Sequence, residues 1–173
     1  IADAARVSYG KGTRTASDNK GLIRYLVRHK HTSPLEMVEV KFHLKLPIFV
    51  MRQLVRHRTA SLNEYSGRYS IMSDDFYEPS DDYIQPQSQT NKQGRGGELS
   101  DAWKQSYKQR IHEITAKAKY AYKFLIGTES TSHGGLTREL ARTVLPVSNY
   151  TECYWKIDLH NFFHFCRLRM DDH

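Results

Sequence analysis

Two stretches of the chain alternate between apolar and polar residues, as strands with one buried face do. In EVKFHLK (39–45), Val40, Phe42 and Leu44 fall on one face, and three charged residues and a histidine fall on the other. Residues 150–159 repeat the pattern, and one of their faces carries Thr151, Cys153, Trp155, Ile157 and Leu159. We therefore predict two half-exposed strands that are far apart in the sequence.

Apolar residues recur every three or four positions in five other segments, which predicts helices. The predicted helices cover residues 18–30, 47–58, 98–127, 136–145 and 159–170. Ser17 or Asp18 is a suitable N-cap for the first, Gly127 is a suitable stop for the third, and Pro146 ends the fourth. The segment HTSP (31–34), between the first helix and the first strand, is expected to be a turn.

Two details of the helices concern candidate chemistry. Arg52 and Arg56 are four residues apart, as are Arg138 and Arg142, so we expect each pair to share a helix face. The last helix is expected to turn five apolar residues inward: Leu159, Phe162, Phe163, Cys166 and Met170.

Residues 72–97 are polar and rich in Asp, Gln, Ser, Pro and Gly, which predicts a long loop. The order of elements includes few strands and no βαβ repetition, so the chain is expected to have an α+β fold. Its 173 residues fit one domain, and we expect a single domain over 1–173. Because the chain opens inside IADAARVSY and closes directly after a helical pattern, we expect both ends to be truncated.

The charge balance changes this picture by pointing to anionic ligands. The formal net charge is +7, and the basic residues are spread along the chain rather than gathered in a block. Two cysteines are too few for a disulfide framework, no signal peptide precedes the first residues, and no apolar run approaches the roughly 20 residues that cross a bilayer. These features favour a cytoplasmic protein that does not enter a membrane.

The segment RHRTASLNEYSGRYS (56–70) concentrates the candidate chemistry. It holds three arginines together with Glu64 and Ser66, and guanidinium groups suit phosphates and ring carbonyls better than ammonium groups do. The ordinary alternative for each arginine is a solvated surface with carboxylate partners. No GxGxxG or Walker loop is present, and no cysteine nucleophile can be identified by spacing. His160 and His164 are spaced like a metal pair, but the glutamate of HExxH is missing, so we expect no metal.

These residues resemble those of a known family. RHRTASLNEYS (56–66) is similar to the signature of flavin-dependent thymidylate synthases (ThyX), which is Arg-His-Arg, seven residues and then Ser. Further matches are AARVSY (4–9), HKHTSPLE (29–36), PIFVMRQLVRHR (47–58), LARTVLP (140–146) and FCRLRMDDH (165–173). The resemblance covers nearly all of the chain except the 72–97 loop.

The resemblance implies a fold, an activity and an assembly. The fold is a ThyX-type arrangement of helices packed with a small, mostly antiparallel sheet and one long helix. The activity is methylation of dUMP to dTMP, with methylenetetrahydrofolate as carbon donor and with FAD, reduced by NADPH, as hydride source. The family does not need a cysteine nucleophile, and it forms homotetramers whose active sites are shared between subunits.

The resemblance also implies roles for individual residues. Positions matching the dUMP site are Gln53, Arg56, Glu64, Ser66, Gly67, Arg68, Arg142 and Arg169. Arg169 matches the residue thought to promote ionisation at uracil N3, which a fixed guanidinium would do by favouring the anion. Positions matching the FAD site are Ser8, Ser33, Glu36, Arg56, His57, Arg58, Thr59, Asn63, Glu64, Asp158, His160 and His164. His31 and Tyr69 match positions associated with the folate.

Three of these positions depart from what some family members carry. Asp158 and His164 stand where asparagine occurs, and His160 stands where arginine occurs. An ionised Asp158 can only accept hydrogen bonds, which limits what it could contact on a flavin. Two other functions stay open at this point: a basic nucleic-acid-binding module, for which Tyr65 and Tyr69 beside arginines are a faint indication, and a non-catalytic flavoprotein.

Overall fold

A computed structural model describes residues 1–9, 18–127 and 134–170. Its sheet has three antiparallel strands, β1 (Glu39–Pro47), β2 (Ala60–Glu64) and β3 (Tyr150–Asp158), in the order β1-β3-β2. The two predicted strands are confirmed as β1 and β3. Their burial alternates as the sequence indicates, and the buried side chains of β3 are Thr151, Cys153, Trp155 and Ile157.

Seven α-helices are found in the described ranges, and the α+β class with one long helix is confirmed. They are α1 (Ala2–Arg6), α2 (Asn19–Arg28), α3 (Ser33–Glu36), α4 (Ile48–Leu54), α5 (Asp101–Leu125), α6 (Arg138–Ala141) and α7 (Leu159–Arg169). Short 3-10 turns occur at Val7–Tyr9, Asp81–Tyr83 and Arg142–Val144. The 72–97 segment contains only one of these turns and no strand or α-helix, as its composition predicts.

The ends of two helices follow the predicted signals. The side chain of Asp18 accepts hydrogen bonds from the N–H groups of Lys20 and Gly21, and it therefore caps α2. The other predicted cap, Ser17, lies outside the described residues. Gly127 has a φ of +75°, a left-handed conformation that glycine adopts at no steric cost. It follows the end of α5, so its predicted role as a stop is confirmed.

The prediction that the second helix reaches Arg58 is wrong. Helix α4 ends at Leu54, so Arg56 is not on the helix and does not share a helix face with Arg52. The chain instead forms β2, which the sequence analysis missed because four of its five residues are exposed and it lacks an apolar face. At the end of β2, the N–H of Tyr65 donates to Glu152 O at 2.8 Å, and such pairing overrides the helical pattern.

Three smaller predictions also need correction. Helix α6 ends at Ala141, and Arg142 begins a 3-10 turn, so Arg138 and Arg142 do not share one helix face. The expected turn at HTSP continues into the one-turn helix α3, which Pro34 suits because its φ is already helical. Phe163 and Met170 are exposed rather than turned inward, because α7 lies on the sheet through its other apolar side chains.

The described chain divides into two compact units. The first contains residues 1–43, 57–63 and 154–172, apart from the parts outside the described ranges. Its centre is a set of aromatic rings from β1, β3 and α7: Phe42, Trp155, Phe162 and Phe165. The ring centroids lie 5.2–6.3 Å apart, a spacing typical of favourable aromatic pairs. These contacts seat α7 on the sheet. Helix α3 packs against both α1 and α7.

The second unit contains residues 44–56 and 64–153, and α5 is its largest element. Buried Met72, Tyr122 and Ala141 form its core together with neighbouring aliphatic side chains. The Tyr122 hydroxyl accepts a hydrogen bond from the Met72 N–H at 2.9 Å. The amide of fully buried Asn149 donates to Ser73 O at 2.7 Å and to Asp75 O at 2.9 Å. The start of the 72–97 loop is therefore attached by buried and part-buried hydrogen bonds.

Ion pairs along α5 hold the next part of this loop. Acidic residues of the loop pair with basic residues on one face of the helix: Asp74 with Lys119 and Lys123, Glu78 with His112, and Asp81 with Lys108. Hydrogen bonds from Lys123 and then Lys119 lower the pKa of Asp74. We call this set the α5 ion-pair row. All its members are partly exposed, so each pair contributes only about 0–1 kcal/mol.

Two sequence-based predictions concern the whole chain: that it does not enter a membrane, and that it forms a single domain. In the described ranges, no helix combines the length and the apolar character that crossing a bilayer requires. The expectation that residues 1–173 form a single catalytic domain stays a prediction.

Candidate functional site

In the second unit, a tight turn carries three predicted nucleotide-binding residues, Ser66, Gly67 and Arg68. The Ser66 carbonyl accepts hydrogen bonds from the N–H groups of Tyr69 and Ser70, at 3.2 and 3.0 Å. The Ser66 hydroxyl accepts one from the Arg68 N–H at 3.3 Å. The Tyr65 hydroxyl donates to Ile71 O at 2.7 Å, which ties the two ends of the turn together. The turn is therefore held by its own hydrogen bonds.

Gly67 is buried because the side chain of Arg142 lies across it. A Cβ at this position would be 2.7 Å from Met72 Sδ and 3.3 Å from Arg142 Cδ. Real Cβ atoms do not approach sulfur that closely, so any larger residue would displace Met72 or Arg142. The absence of a side chain at Gly67 thus brings the Arg142 guanidinium next to the turn.

Two more charged residues complete this region. Arg68 Nε lies 3.2 Å from Glu139 Oε2, and an Arg138 N–H donates to the backbone carbonyl of Tyr69. Arg68 and Arg142 are exposed, so both guanidinium groups can reach a ligand. We call Arg68, Arg138 and Arg142 the arginine cluster. Their shared position around one turn provides fork-shaped donors that match phosphate geometry.

Glu64, Gln53 and Arg56 are the other predicted nucleotide residues of this unit. Glu64 ends β2, and its Oε1 accepts a hydrogen bond from the buried Thr151 hydroxyl at 2.9 Å. Gln53 is near the end of α4 and Arg56 follows it, and both are exposed. Tyr69, a predicted folate residue, has 76% of its side chain exposed and so offers a free ring face.

In the first unit, the structure brings together the predicted residues His57 and Arg169. Arg169 Nε donates to His57 Nε2 at 3.3 Å. Because a guanidinium has no acceptor, His57 must accept at Nε2 and carry its proton on Nδ1. The edge of the imidazole also packs on Phe165, with ring centroids 4.9 Å apart at 78°. The neutral imidazole therefore orients Arg169 from the end of α7.

The electrostatic environment keeps His57 neutral. Burial lowers the pKa of His57, and the positive charge of Arg169 and the proximity of His164 lower it further. An imidazolium would lose the hydrogen bond, because both of its nitrogens would donate. At neutral pH the arrangement therefore leaves the charge on Arg169, where it can act on an anion.

The other predicted flavin residues lie mostly on the surface of the first unit. Exposed ones are Ser8, Ser33, Glu36, Arg58, Thr59, Asn63 and His164, whereas Asp158 and His160 are half-buried. Asp158 also caps α7: its two carboxylate oxygens accept from the N–H and the side-chain amide of Asn161, at 2.9 and 2.8 Å. His31, the second folate candidate, packs 5.9 Å from the Tyr25 ring. The predicted flavin set thus lies in the first unit except for Arg56 and Glu64.

Neither the cysteines nor a metal cluster offers an alternative reactive centre among the described residues. Cys153 is buried, and burial together with the nearby charge of Glu64 raises the pKa of its thiol. A protonated, inaccessible thiol is a poor nucleophile. Cys166 is half-buried and unpaired with Cys153. Within the described ranges, no three His, Cys, Asp or Glu side chains are grouped as a metal site would require.

Comparison with known families accounts for the whole chain. A model of the family described as thymidylate synthase complementing protein matches residues 1–173. The chain belongs to this family. The resemblance indicated by residues 56–66 is thereby confirmed.

Members of the thymidylate synthase complementing protein family match this chain closely. The flavin-dependent thymidylate synthase of Dictyostelium discoideum is 53% identical over all of this chain and 55% of its own length. The enzyme of the same name from Ruegeria pomeroyi is 50% identical, again over all of this chain and 57% of its own length. The chain therefore spans about half the length of the curated relatives it matches.

A solved structure shows the same fold. A UMP/dUMP methylase from Streptomyces cacaoi, bound with 5-Br UMP, superposes with a TM-score of 0.79. The two chains are 35% identical, and the match covers 95% of this chain and 68% of the methylase chain. The same methylase bound with 5-Br dUMP matches with the same TM-score at 33% identity.

Two residues next to the site, Glu139 and Thr151, were missed by the sequence analysis. Glu139 lies in the short helix α6, and nothing in the sequence around it indicates that it pairs with Arg68. Thr151 was placed correctly on the inner face of β3, but an inward threonine is ordinarily a core residue. Only the pairing of β2 with β3, which was not predicted, brings its hydroxyl to Glu64.

Proposed function

We propose that the protein is a cytoplasmic flavin-dependent thymidylate synthase that converts dUMP to dTMP. Methylenetetrahydrofolate is the carbon donor, and NADPH provides the electrons through FAD. The observation that carries the proposal is the arginine cluster around the Ser66–Arg68 turn, which directly follows the signature in a chain that matches the family model over residues 1–173. The names of the relatives and the uridine nucleotides bound to the structural neighbour support it.

Arg68, Arg142 and Ser66 would bind the phosphate of dUMP. Two guanidinium groups and a hydroxyl offer the phosphate oxygens several donors, and charge-assisted hydrogen bonds are among the strong ones. The ion pair between Arg68 and Glu139 would restrain the Arg68 side chain before the nucleotide binds. Gln53 and Arg56 would contact the rest of the nucleotide, and Glu64 would accept from one of its N–H or O–H groups.

Arg169 would act on the uracil ring. A guanidinium held beside N3 and its flanking carbonyl oxygens lowers the free energy of the ring anion relative to the neutral ring. The anion has more electron density at C5, the carbon that receives the methylene group. The contact with neutral His57 orients Arg169 without cancelling its charge. No protein thiolate is needed for this activation, which agrees with a buried, protonated Cys153.

The residues of the predicted flavin set fit a dinucleotide by their chemistry. Arg58 and Thr59 directly precede the edge strand β2, and Asn63 lies in it. All three are exposed, and they offer guanidinium, hydroxyl and amide donors. These groups suit a pyrophosphate, a sugar alcohol and ring carbonyls. FAD, when bound, supplies the hydride that completes the methyl group. His31 and Tyr69 would contact the folate, and the exposed Tyr69 ring could stack on its pterin.

Two measurements test the proposed function: the absorbance spectrum of the purified protein and the formation of dTMP. The purified protein should show the absorbance bands of an oxidised flavin, and it should form dTMP from dUMP when both methylenetetrahydrofolate and NADPH are present. Omitting either co-substrate should abolish the product. A colourless protein that neither takes up added FAD nor forms dTMP would overturn the proposal.

We further propose that the protein is a homotetramer with active sites shared between subunits. One side of α5 exposes apolar side chains at helical spacing: Trp103, Tyr107 and Ile114, with exposed fractions of 58%, 45% and 62%. A solvent-facing apolar row of this kind is typical of a helix that packs against another chain. A second copy of this chain is the partner that the proposal assigns to it.

The substitution Trp103→Asp should dissociate the assembly, because it places a charge in an apolar interface. We expect light scattering on a size-exclusion column to show smaller species and dTMP formation to fall with them. The control Gln105→Asp adds the same charge at an exposed position about 200° around the same helix. It should leave both measurements unchanged. An intact tetramer in Trp103→Asp would refute the role of this face.

The other function considered, a nucleic-acid-binding module, has no support in the comparisons. The Tyr65 hydroxyl, one of its indications, is engaged within its own turn.

A further inference from the structure

Thr151 is a buried polar residue whose hydroxyl is hydrogen-bonded to a side chain of the neighbouring strand. It lies in β3, the central strand of the sheet, and only 3% of the residue is exposed. Its hydroxyl lies 2.9 Å from Glu64 Oε1. A buried hydroxyl without a partner costs roughly 1–3 kcal/mol, so the sheet itself favours keeping Glu64 in this position.

The contact restricts a side chain that would otherwise be free. Glu64 ends β2, an edge strand, and it is exposed. A glutamate has three rotatable bonds, and ordering such a side chain costs on the order of 1–2 kcal/mol. The backbone beside it is already fixed, because the Tyr65 N–H donates to Glu152 O at 2.8 Å. Thr151 adds the restraint that the backbone cannot provide.

The direction of the hydrogen bond defines what Glu64 offers to a ligand. An ionised carboxylate only accepts, so the Thr151 hydroxyl must be the donor. Oε1 is then occupied, while Oε2 remains available to accept from a ligand N–H or O–H. The same charge is felt by Cys153, two residues along β3, whose thiol pKa is raised by burial and by Glu64. The carboxylate is therefore held against the inner face of β3.

We propose that Thr151 is a positioning residue that orients the Glu64 carboxylate for binding dUMP. The inference rests on the proposed function, since it assumes that Glu64 contacts the nucleotide. Without the hydroxyl, Glu64 would sample several rotamers, and the nucleotide would have to restrict them when it binds. Nucleotide affinity should fall although no residue that touches the nucleotide has changed.

The test compares Thr151→Val with Thr151→Ser in the holoenzyme. Valine keeps the shape and removes the hydroxyl, whereas serine keeps the hydroxyl. We expect Thr151→Val to raise the Kd for dUMP about tenfold, because the nucleotide would then have to order the Glu64 side chain when it binds. Thr151→Ser should recover most of the affinity. The Kd is measured by titrating dUMP against the absorbance of the bound flavin and, independently, by calorimetry.

Two controls separate positioning from a structural effect. Thr115→Val removes another buried hydroxyl, one that bonds only to carbonyls of its own helix at 3.0 Å, and it should leave the Kd unchanged. In a double-mutant cycle, Thr151→Val should add little to the loss caused by Glu64→Ala, because without the carboxylate the hydroxyl has no side chain to orient. If Thr151→Val does not fold, Thr151→Ala replaces it in the cycle.

The outcomes distinguish the two proposals. Wild-type protein that neither binds dUMP nor forms dTMP would overturn the proposed function itself. Active wild-type protein with an unchanged Kd in Thr151→Val would overturn only the role of Thr151. The same conclusion would follow if Thr151→Ser bound dUMP as weakly as Thr151→Val, or if the losses in the cycle were additive.

Discussion

Replacing Arg169 by alanine is expected to lower the rate of dTMP formation at saturating dUMP by about 100-fold to 1,000-fold. This is the usual effect of removing one preorganised donor from a site where negative charge develops. The phosphate would still be held by the arginine cluster, which is built from other residues. The loss should therefore fall mainly on kcat, measured as dTMP formed per enzyme, while flavin stays bound.

The matched control is Arg167→Ala, which removes another exposed arginine side chain, two residues before Arg169 on α7. It should retain the wild-type kcat, because the proposed site does not use Arg167. Equal kcat values for wild type and Arg169→Ala would contradict the activation of the uracil ring.

The same variant can be checked without any substrate. Arg169 lowers the pKa of His57 after the larger effect of burial, so removing its charge should raise that pKa. Burial persists in the variant, so His57 should still titrate below an ordinary histidine. Titration of the imidazole by NMR would follow the change. An unchanged His57 pKa would mean that the two side chains are not in contact in solution.

Replacing Asn149 by alanine is expected to lower the free energy of unfolding by about 2–4 kcal/mol. The substitution deletes two part-buried hydrogen bonds, and it leaves the carbonyl of Ser73 without this donor. It also leaves a cavity at a position with no exposed surface. Urea denaturation monitored by circular dichroism would measure the loss.

Two further variants identify the cause. Asn149→Asp keeps the volume but replaces both donors by acceptors, so it should destabilise at least as much as alanine at neutral pH. Asn91→Ala removes an exposed asparagine whose side-chain oxygen accepts from the Gln93 N–H, and it should cost about 1 kcal/mol or less. Similar values for Asn149→Ala and Asn91→Ala would show that the attachment of the 72–97 loop contributes little.

Elements whose stability depends on burying one apolar face could be predicted from the sequence. In β1 and β3, apolar and polar residues alternate in the sequence, and burial alternates with them. Helix α2 begins after its predicted cap Asp18, and α5 ends just before its predicted stop Gly127. The arginines of residues 56–70 were assigned to anion binding because guanidiniums this close in sequence suit an anionic ligand, and that assignment stays a prediction. The α+β class followed from the order of these elements.

Features that depend on pairing between distant segments could not be predicted. Strand β2 has no apolar face of its own and forms because β3 provides its partner. The contacts of Glu139 with Arg68 and of Thr151 with Glu64 join residues more than 70 positions apart. Asp158 caps α7, a role that its position just before a helix could have suggested, and its assignment to the flavin site stays a prediction.

The α5 ion-pair row has a consequence for how the protein meets small charged molecules. Lys108 pairs with Asp81, and Lys119 and Lys123 share Asp74, so two carboxylates offset part of the positive charge of these three lysines. If dUMP is the substrate, as proposed, these lysines should attract it less than they would without their acidic partners. The expected effect of the loop acids is weaker nonspecific attraction of anions to α5.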